Sequence, residues 1–169
     1  MSVPEDPSAA SEEAPPVRVF ASLAELAGAV GEVLGPGQWQ PIEQDRVDAF
    51  AEATGDRQWI HTDPQRAAAG PFGGTVAHGY LMLSLLPMLN RSLYRVASLR
   101  TGINYGLNKV RFPAPLRTGS AVRVTSRIDE ATPLDAGSLQ LVATVTVEVR
   151  DGERPCCVAQ TVSRLYEDT

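Results

Sequence analysis

The order of apolar and polar positions divides this 169-residue chain into a helical first half and a strand-rich second half. Up to about residue 96, apolar side chains recur at helical spacing, whereas later segments alternate apolar and polar positions with the period of a strand. Helices followed by a run of strands joined by short turns are typical of an α+β fold with an antiparallel sheet. Four long strands are predicted at 103–112, 120–128, 139–150 and 156–166.

Three helices are predicted before residue 70, and the third is a short one that ends at Ala69. The first begins with a capping box formed by Ser22 and Glu25 and extends to Gly35. The second covers about 43–53 and carries an apolar stripe on one face. The third begins at Asp63-Pro64, an N-cap followed by proline at the first helical position.

The longest apolar run lies in a fourth helix, predicted from Gly79 to about Tyr94. A helix that is apolar on nearly every face must be buried on all sides, so the sheet is expected to curl around it. Pro87 predicts a kink within this helix. The apolar run is about half of the roughly 20 residues that a membrane-spanning helix needs, so no membrane span is expected.

The first 17 residues differ in composition from the rest of the chain. They contain four prolines and four acidic residues but few large apolar groups, which predicts a disordered tail. They also lack the basic and then apolar order of a secretory signal. Residues 18–169 are long enough for one hydrophobic core, so a single domain is expected there.

The charge argues against a nucleic-acid-binding protein, and the cysteine content argues against a disulfide-bonded one. The net charge of −5 argues against a nucleic-acid surface, which would present a basic face. The two cysteines, Cys156 and Cys157, are adjacent, and neighbours in a strand point to opposite faces, where they cannot easily form a disulfide. They are expected to act as small apolar residues in a reducing compartment, which indicates the cytoplasm.

The first candidate site is the segment from Asp56 to Thr62, which is predicted to be a loop between two helices. It carries a carboxylate at Asp56 and an imidazole at His61, one of only two histidines in the chain. A carboxylate and an imidazole held in one short loop are able to share a water, as general acid–base catalysis requires. The alternative is a helix-ending aspartate beside an ordinary loop histidine.

The second candidate site is His78-Gly79 at the start of the apolar helix. The first N–H groups of a helix have no partner within the helix, and glycine permits close approach of a carbonyl oxygen. Gly79 is therefore a candidate for stabilising an oxyanion, with His78 beside it as a substrate-binding residue. The alternative for His78 is a core histidine whose hydrogen bonds are satisfied by the protein.

Motifs for other chemistries are absent from the sequence. The chain has no phosphate-binding glycine loop, no dinucleotide-binding fingerprint, no nucleophile elbow and no spaced set of cysteines and histidines. A nucleotide cofactor, an α/β-hydrolase and a zinc or other metal site are therefore not expected.

The residues at these two sites resemble the MaoC-like dehydratases, which include the (R)-specific enoyl-CoA hydratases of the hydratase 2 family. The resemblance covers about residues 38–167. The matching residues are Phe50, Thr54-Gly55-Asp56, Ile60-His61, Ala67 and Ala77-His78-Gly79, together with the later segment from Asn104 to Pro113.

The resemblance implies a hot-dog fold, in which an antiparallel sheet wraps a long helix, and a homodimer. It implies that Asp56 and His61 are catalytic and that Gly79 donates its N–H to the oxyanion. Two positions depart from the family pattern. Gln58-Trp59 stands where the family usually has Asn-Pro, and Pro87 occupies a position where some members have serine.

The expected function is that of a hydro-lyase, which hydrates a trans-2-enoyl thioester reversibly to a 3-hydroxyacyl thioester, the R isomer by resemblance. No cofactor is expected beyond the coenzyme A or acyl-carrier protein that forms part of the substrate. Two alternatives remain open from the residues. One is a hot-dog thioesterase, and the other is a non-catalytic subunit of a heteromeric dehydratase.

Overall fold

The computed structural model describes residues 16–135 and 137–167. Residues 1–15 of the predicted tail lie outside this part of the chain. Pro16 and Val17 have no regular secondary structure, and the first strand begins at the next residue. No helix in the described residues is long and apolar enough to cross a membrane.

Fourteen short and long elements follow one another along the described chain. The helices are α1 (Leu23–Ala27), α2 (Gln44–Thr54), α3 (Trp59–Thr62), α4 (Pro64–Ala68), α5 (Gly79–Ser84) and α6 (Leu86–Asn90). The strands are β1 (Arg18–Phe20), β2 (Val33–Leu34), β3 (Gln40–Pro41), β4 (Tyr94–Val96), β5 (Leu99–Arg111), β6 (Ala121–Pro133), β7 (Ser138–Val149) and β8 (Cys157–Glu167).

The main sheet contains the four long strands that the alternating pattern predicts. Its order is β2-β6-β7-β8-β5, with β3 also paired to β6, and every pairing is antiparallel. A separate parallel pair joins β1 to β4. The α+β prediction is therefore confirmed, and β5 forms one edge of the main sheet.

The core lies between one face of this sheet and the helices. The inward residues of β7, among them Val145 and Val147, are buried together with apolar residues of α5 and α6. These helix residues, Leu81, Met82, Leu86 and Leu89, recur at helical spacing on a single side. The sheet therefore holds the N-terminus of α5, at Gly79, in a fixed position.

The prediction that the apolar helix is one element buried on all sides is wrong. Leu85 separates α5 from α6, just before Pro87, which has no N–H to continue the backbone ladder. The helix ends at Asn90, and Tyr94 belongs to β4. Tyr80 is 70% exposed and Met88 is also exposed, because the sheet covers only one side of the helices.

The first helix is shorter than the sequence predicts. Its capping box forms, since Ser22 Oγ accepts a hydrogen bond from the Glu25 N–H at 3.2 Å. The helix nevertheless ends at Ala27, and Val33 pairs with Arg127 of β6 instead of continuing a helical stripe. Strand pairing with the sheet edge thus determines the conformation of this segment. The helices predicted at 43–53 and from Asp63-Pro64 are confirmed as α2 and α4.

Candidate active site

Asp56 lies directly after the glycine that ends α2. Gly55 has φ +77°, a left-handed conformation that favours glycine, and its N–H bonds to the Ala51 carbonyl. This turn directs the chain away from the helix axis, so that Asp56 lies at the surface near the start of α3. The carboxylate of Asp56 is therefore open to solvent on one side.

His61 lies on α3 rather than on a loop, so the predicted loop is limited to the residues between α2 and α3. The side chain is largely buried, with 8% of the residue exposed. Its Nδ1 lies 2.6 Å from the carbonyl oxygen of Val76. A carbonyl oxygen can accept a hydrogen bond but cannot donate one. Nδ1 therefore carries the proton in the neutral ring, and the lone pair is on Nε2.

A polar network outside the predicted site holds the backbone of His61. Gln44 Nε2 donates to the His61 carbonyl at 2.7 Å, and Gln44 Oε1 accepts from Thr75 Oγ1 at 2.5 Å. Thr75 Oγ1 also lies 2.5 Å from Thr118 Oγ1. No sequence motif marks Gln44 or the Val76 carbonyl, because their roles depend on distant segments meeting in the fold.

His78 connects the two predicted catalytic residues. It is 2% exposed, and its ring stacks on that of His61 with centroids 3.7 Å apart. Its Nε2 donates to the backbone carbonyl of Asp56 at 2.9 Å, whereas its buried Nδ1 has no partner among the described residues. The ring of Phe50 contacts His78 from α2, with centroids 5.0 Å apart. His78 is thus a core histidine with one ring nitrogen satisfied.

The three side chains converge on one small volume. A carboxylate oxygen of Asp56 and one ring nitrogen each of His61 and His78 lie within 4.8 Å of one another. Two hydrogen bonds of about 2.8 Å each span up to about 5.6 Å, so one water fits between Asp56 and His61. The stacked imidazoles suit a metal ion poorly, because their lone pairs lie in nearly parallel ring planes and do not point to one centre.

The surroundings of His61 favour its neutral form. Burial lowers the pKa of the His61 imidazole below its usual value of 6.5, and the nearby His78 lowers it further. The hydrogen bond to Val76 and the charge of Asp56 act in the opposite direction but are outweighed. At neutral pH the ring therefore presents an unprotonated nitrogen, as a general base must.

Gly79 is the first residue of α5, so its N–H has no acceptor within the helix. Phe112, the residue that follows β5, packs directly on this glycine. A Cβ added at Gly79 would lie only 2.9 Å from Cδ2 of the Phe112 ring. The close packing explains why glycine is required here, and it places an aromatic wall beside the free N–H.

Trp59, one of the residues that depart from the family pattern, has a clear structural role. Trp59 begins α3, and the guanidinium of Arg66 lies 4.5 Å above its ring, which joins α3 to α4. Trp59 belongs to the same short helix as His61, so this contact fixes the helix that carries His61.

The cysteines are separate from this site. Burial raises the pKa of the Cys156 thiol to about 12 and that of Cys157 to about 11, so both remain protonated and unreactive at neutral pH. Both are unpaired and buried, as the sequence analysis expected.

A cavity of about 240 Å³ opens between the helices and the edge of the sheet. Residues of α5, α6, β5 and β8 line it. Its apolar lining comes from Leu83, Leu86, Pro87, Leu107 and Val162, and its polar lining from Ser84, Asn90, Asn104, Thr161 and Ser163. Leu83 and Ser84 belong to the helix that begins at Gly79, whereas Asp56, His61 and Gly79 are not among the residues that line this cavity.

Known proteins resemble this chain in sequence and in fold. In sequence, residues 25–151 match the protein family described as the MaoC like domain. A 3-hydroxyacyl-thioester dehydratase Z from Mycobacterium tuberculosis is 51% identical over 148 residues, covering 88% of this chain and 98% of that protein. Nodulation protein N from Rhizobium leguminosarum bv. viciae is 41% identical over 149 residues, which cover 87% of this chain and 92% of that protein. The solved R-hydratase PhaJ1 from Pseudomonas aeruginosa has a TM-score of 0.67 at 22% identity, with 88% of each chain covered. This likeness confirms the hot-dog fold.

Proposed function

Because this chain belongs to the family of MaoC-like domains, we propose that it is a hydro-lyase acting on acyl thioesters. It adds water reversibly to a trans-2-enoyl thioester and forms a 3-hydroxyacyl thioester. The observation that carries the proposal is the pairing of the Asp56 carboxylate with a buried, neutral His61 within reach of one water. The dehydratase named among its relatives supports the same reaction class.

The thioester carbonyl binds at the start of α5. Its oxygen accepts a hydrogen bond from the Gly79 N–H, which has no partner within the helix. When hydroxide adds at C3, negative charge develops on this oxygen and the hydrogen bond strengthens. Donors of this kind typically lower a barrier by about 2.7–4 kcal/mol.

Asp56 and His61 hold and activate the water. Nε2 of His61 takes one proton from the water, and the carboxylate of Asp56 accepts a hydrogen bond from the other hydrogen. The oxygen bonds to C3, and the proton on His61 is then transferred to C2, so the product gains one complete water. The R configuration is the one implied by the resemblance to (R)-specific hydratases.

His78 is a positioning residue in this mechanism rather than a direct substrate ligand. Its hydrogen bond to the Asp56 carbonyl and its stacking on His61 hold both catalytic groups at once. No metal or redox cofactor takes part, and coenzyme A or acyl-carrier protein carries the acyl group. The buried, unpaired cysteines support a reducing compartment, which we take to be the cytoplasm.

The active form is a homodimer. Strand β5 is an edge strand, and every residue of it except Val110 is exposed. Exposed apolar side chains on β5 are Leu99, Ile103, Tyr105 and Leu107. Phe112 directly follows this strand and is also exposed, as are Tyr80 on α5 and Met88 on α6. A large exposed apolar patch on a free strand edge favours association with a second copy.

Absorbance of the conjugated enoyl thioester tests the proposed reaction directly. The purified chain is expected to remove this absorbance and to form a 3-hydroxyacyl thioester, with no free thiol released. Release of free thiol would instead identify a thioesterase. Absence of any reaction by the pure, folded chain would favour a non-catalytic subunit.

Two variants connect this activity to the site. Asp56→Asn keeps the size of the side chain but removes its charge, and His61→Asn keeps a donor for the Val76 carbonyl but removes Nε2. Each is expected to lower turnover by about 10²–10⁴-fold with the fold retained. Because both act on one water, the double variant should be little worse than the worse single one. A folded Asp56→Asn protein with normal turnover would contradict the mechanism.

A further inference from the structure

Gln44, the first residue of α2, has a half-buried side chain that is hydrogen-bonded at both ends of its amide. Its Nε2 donates to the His61 carbonyl at 2.7 Å and to the Asp48 carboxylate at 2.8 Å, and its Oε1 accepts from Thr75 Oγ1 at 2.5 Å. The carbonyl and the carboxylate accept hydrogen bonds and do not donate them, so the amide nitrogen must face them. The orientation of this amide is therefore determined by its partners.

The hydrogen bonds behind the amide have a single direction. Gln44 Oε1 can only accept, so the one proton of the Thr75 hydroxyl is given to it. In the contact between the hydroxyls of Thr75 and Thr118, Thr118 is then the donor. Thr75 is 6% exposed, and a hydroxyl left unpaired there would be costly. The chain from Thr118 through Thr75 thus holds the amide that binds the His61 carbonyl.

The short helix that carries His61 is held in place by groups outside it. α3 has four residues, too few for a helix that is stable by itself. Val76 donates its N–H to the Ile60 carbonyl at 3.0 Å, and its own carbonyl accepts from His61 Nδ1 at 2.6 Å. Together with the bond from Gln44, these contacts hold two backbone carbonyls of α3 and the imidazole ring.

Helix α2 connects the two catalytic residues through Gln44. Gln44 lies at the start of this 11-residue helix, and Asp56 follows Gly55 at its end. At a rise of about 1.5 Å per residue, the helix holds its two ends about 15 Å apart. Because the helix is continuously hydrogen-bonded along its length, a bond from Gln44 to α3 places His61 relative to the turn that carries Asp56.

We propose that Gln44 is a positioning residue of the hydration reaction, which sets the distance between the His61 ring and the Asp56 carboxylate by binding the His61 carbonyl. The inference rests on the proposed function, in which these two groups act on one water. Both ends of the Gln44 amide are bonded to the protein, so Gln44 acts through His61 and not on the substrate. A purely structural role would instead lower the melting temperature and leave the turnover of the folded protein unchanged.

Gln44→Leu tests the inference by removing both ends of the amide at similar volume. The His61 carbonyl then loses its donor, and a displacement of about 1 Å costs on the order of 10²-fold in rate. We expect kcat on a trans-2-enoyl-CoA to fall by about 10–10²-fold, with KM changed by less than about threefold. Steady-state kinetics on protein shown to be folded by circular dichroism measure both constants.

Gln44→Glu separates the role of the donor from that of shape. It keeps the acceptor for Thr75 but replaces the amide nitrogen by an oxygen. When ionised, this oxygen repels the His61 carbonyl and the Asp48 carboxylate, whereas when protonated it donates a hydrogen bond. Asp48 and His61 are the titratable residues among the partners of this amide. The turnover of the variant relative to wild type should therefore be lowest in alkaline buffer and should rise as the pH is lowered.

Gln65 on α4 provides the matched control, because it is an exposed helical glutamine. Gln65→Leu and Gln65→Glu should keep kcat at the wild-type value at every pH. Thr75→Val, which keeps the shape of the side chain, is a second variant should Gln44→Leu fail to fold. It removes the donor to Gln44 Oε1 and should lower kcat in the same direction. The double variant with Gln44→Leu should be little worse than Gln44→Leu alone.

Three results would overturn the inference. The first is a folded Gln44→Leu protein with kcat within about twofold of wild type. The second is a loss that comes from KM alone, which would assign Gln44 to substrate binding. The third is a ratio of Gln44→Glu to wild-type turnover that does not change with pH. The proposed function fails separately, if the wild-type protein does not hydrate the enoyl thioester or if Asp56→Asn remains active.

Discussion

The behaviour of His61 follows from the contacts of its two ring nitrogens. Nδ1 is committed to the Val76 carbonyl, and burial disfavours the charged ring, so the lone pair on Nε2 is available at neutral pH. Asp56 differs from it in being exposed to solvent. In the proposed mechanism the two groups therefore contribute differently to one site, with His61 as the proton acceptor and Asp56 as the group that orients the water.

The lowered pKa of His61 predicts the pH range in which activity is lost on acidification. Since the neutral ring is required, kcat/KM should stay high at pH 6.5, the usual histidine value, and should fall only below it. A pH profile of kcat/KM, with an NMR titration of the His61 ring, measures this. An acidic limb centred at or above pH 6.5 would contradict the assignment of His61 as the base.

The same shift has a consequence for folding stability. The unfolded chain binds a proton at His61 near pH 6.5, whereas the folded chain resists it until a lower pH. The contribution of His61 is therefore fully present above pH 6.5 and is lost as the pH falls through the lower pKa of the folded state. Denaturant unfolding across this window should show the decline, and His61→Asn should weaken it.

His78 offers a test of positioning as distinct from packing. His78→Ala removes the hydrogen bond to the Asp56 carbonyl, and a misplacement of about 1 Å costs on the order of 10²-fold in rate. We expect kcat to fall far more than KM changes. His78→Gln retains an Nε2 donor at a similar distance and should recover much of kcat. Equal activities of the two variants would indicate that His78 only fills space.

At the level of elements, the start of α5 is the most constrained position in the site. Gly79→Ala would bring a methyl group against the Phe112 ring and into the approach to the N–H. We expect turnover to fall by roughly 10²-fold. Gly28→Ala is the control, because a Cβ there meets only ordinary contacts, 3.4 Å at the nearest.

The double variant Gly79→Ala/Phe112→Ala separates the two causes. Removing the ring should restore the melting temperature if the methyl group strains the packing. Turnover should remain low, since the methyl group still lies beside the N–H. Full recovery of turnover would show that Gly79 serves packing alone and that the oxyanion lies elsewhere.

Element prediction succeeded where the pattern of a segment agrees with its tertiary setting. The alternation in β7 and the N-cap at Asp63 are local signals, and both are confirmed. The loop prediction failed at α3, because the short helix that carries His61 is held by Gln44 and by the Trp59–Arg66 contact. The helical stripe expected to continue through Val33 does not form, because Val33 pairs with Arg127 of β6.

At the level of the whole molecule, the exposed edge strand predicts association. Ile103 is 50% exposed on β5, and Ile103→Lys introduces a charge into the proposed dimer surface. Light scattering at micromolar concentration should give a dimer for the wild type and a smaller species for the variant. Val33→Lys, on the opposite edge of the sheet, is the matched control and should remain dimeric. A monomeric wild type would contradict the proposed assembly.

The sequence by itself determined the α+β class, the four long strands and the identity of Asp56, His61 and Gly79 as candidates. These features depend on residue types at short spacing, which local backbone preferences and burial patterns translate directly into structure. The residues of the motif are near one another in the chain, so their proximity in the fold required little tertiary information.

Only the tertiary structure decided which nitrogen of His61 is free, what His78 holds and which side of the apolar helix remains uncovered. Each of these depends on groups distant in sequence, namely the Val76 carbonyl, the Asp56 carbonyl and the sheet from β5 to β8. Backbone carbonyls carry no sequence signal, and the extent of a sheet is set by strand pairing. The physical reason is that burial and hydrogen bonding are satisfied across the whole molecule, so no single segment specifies them.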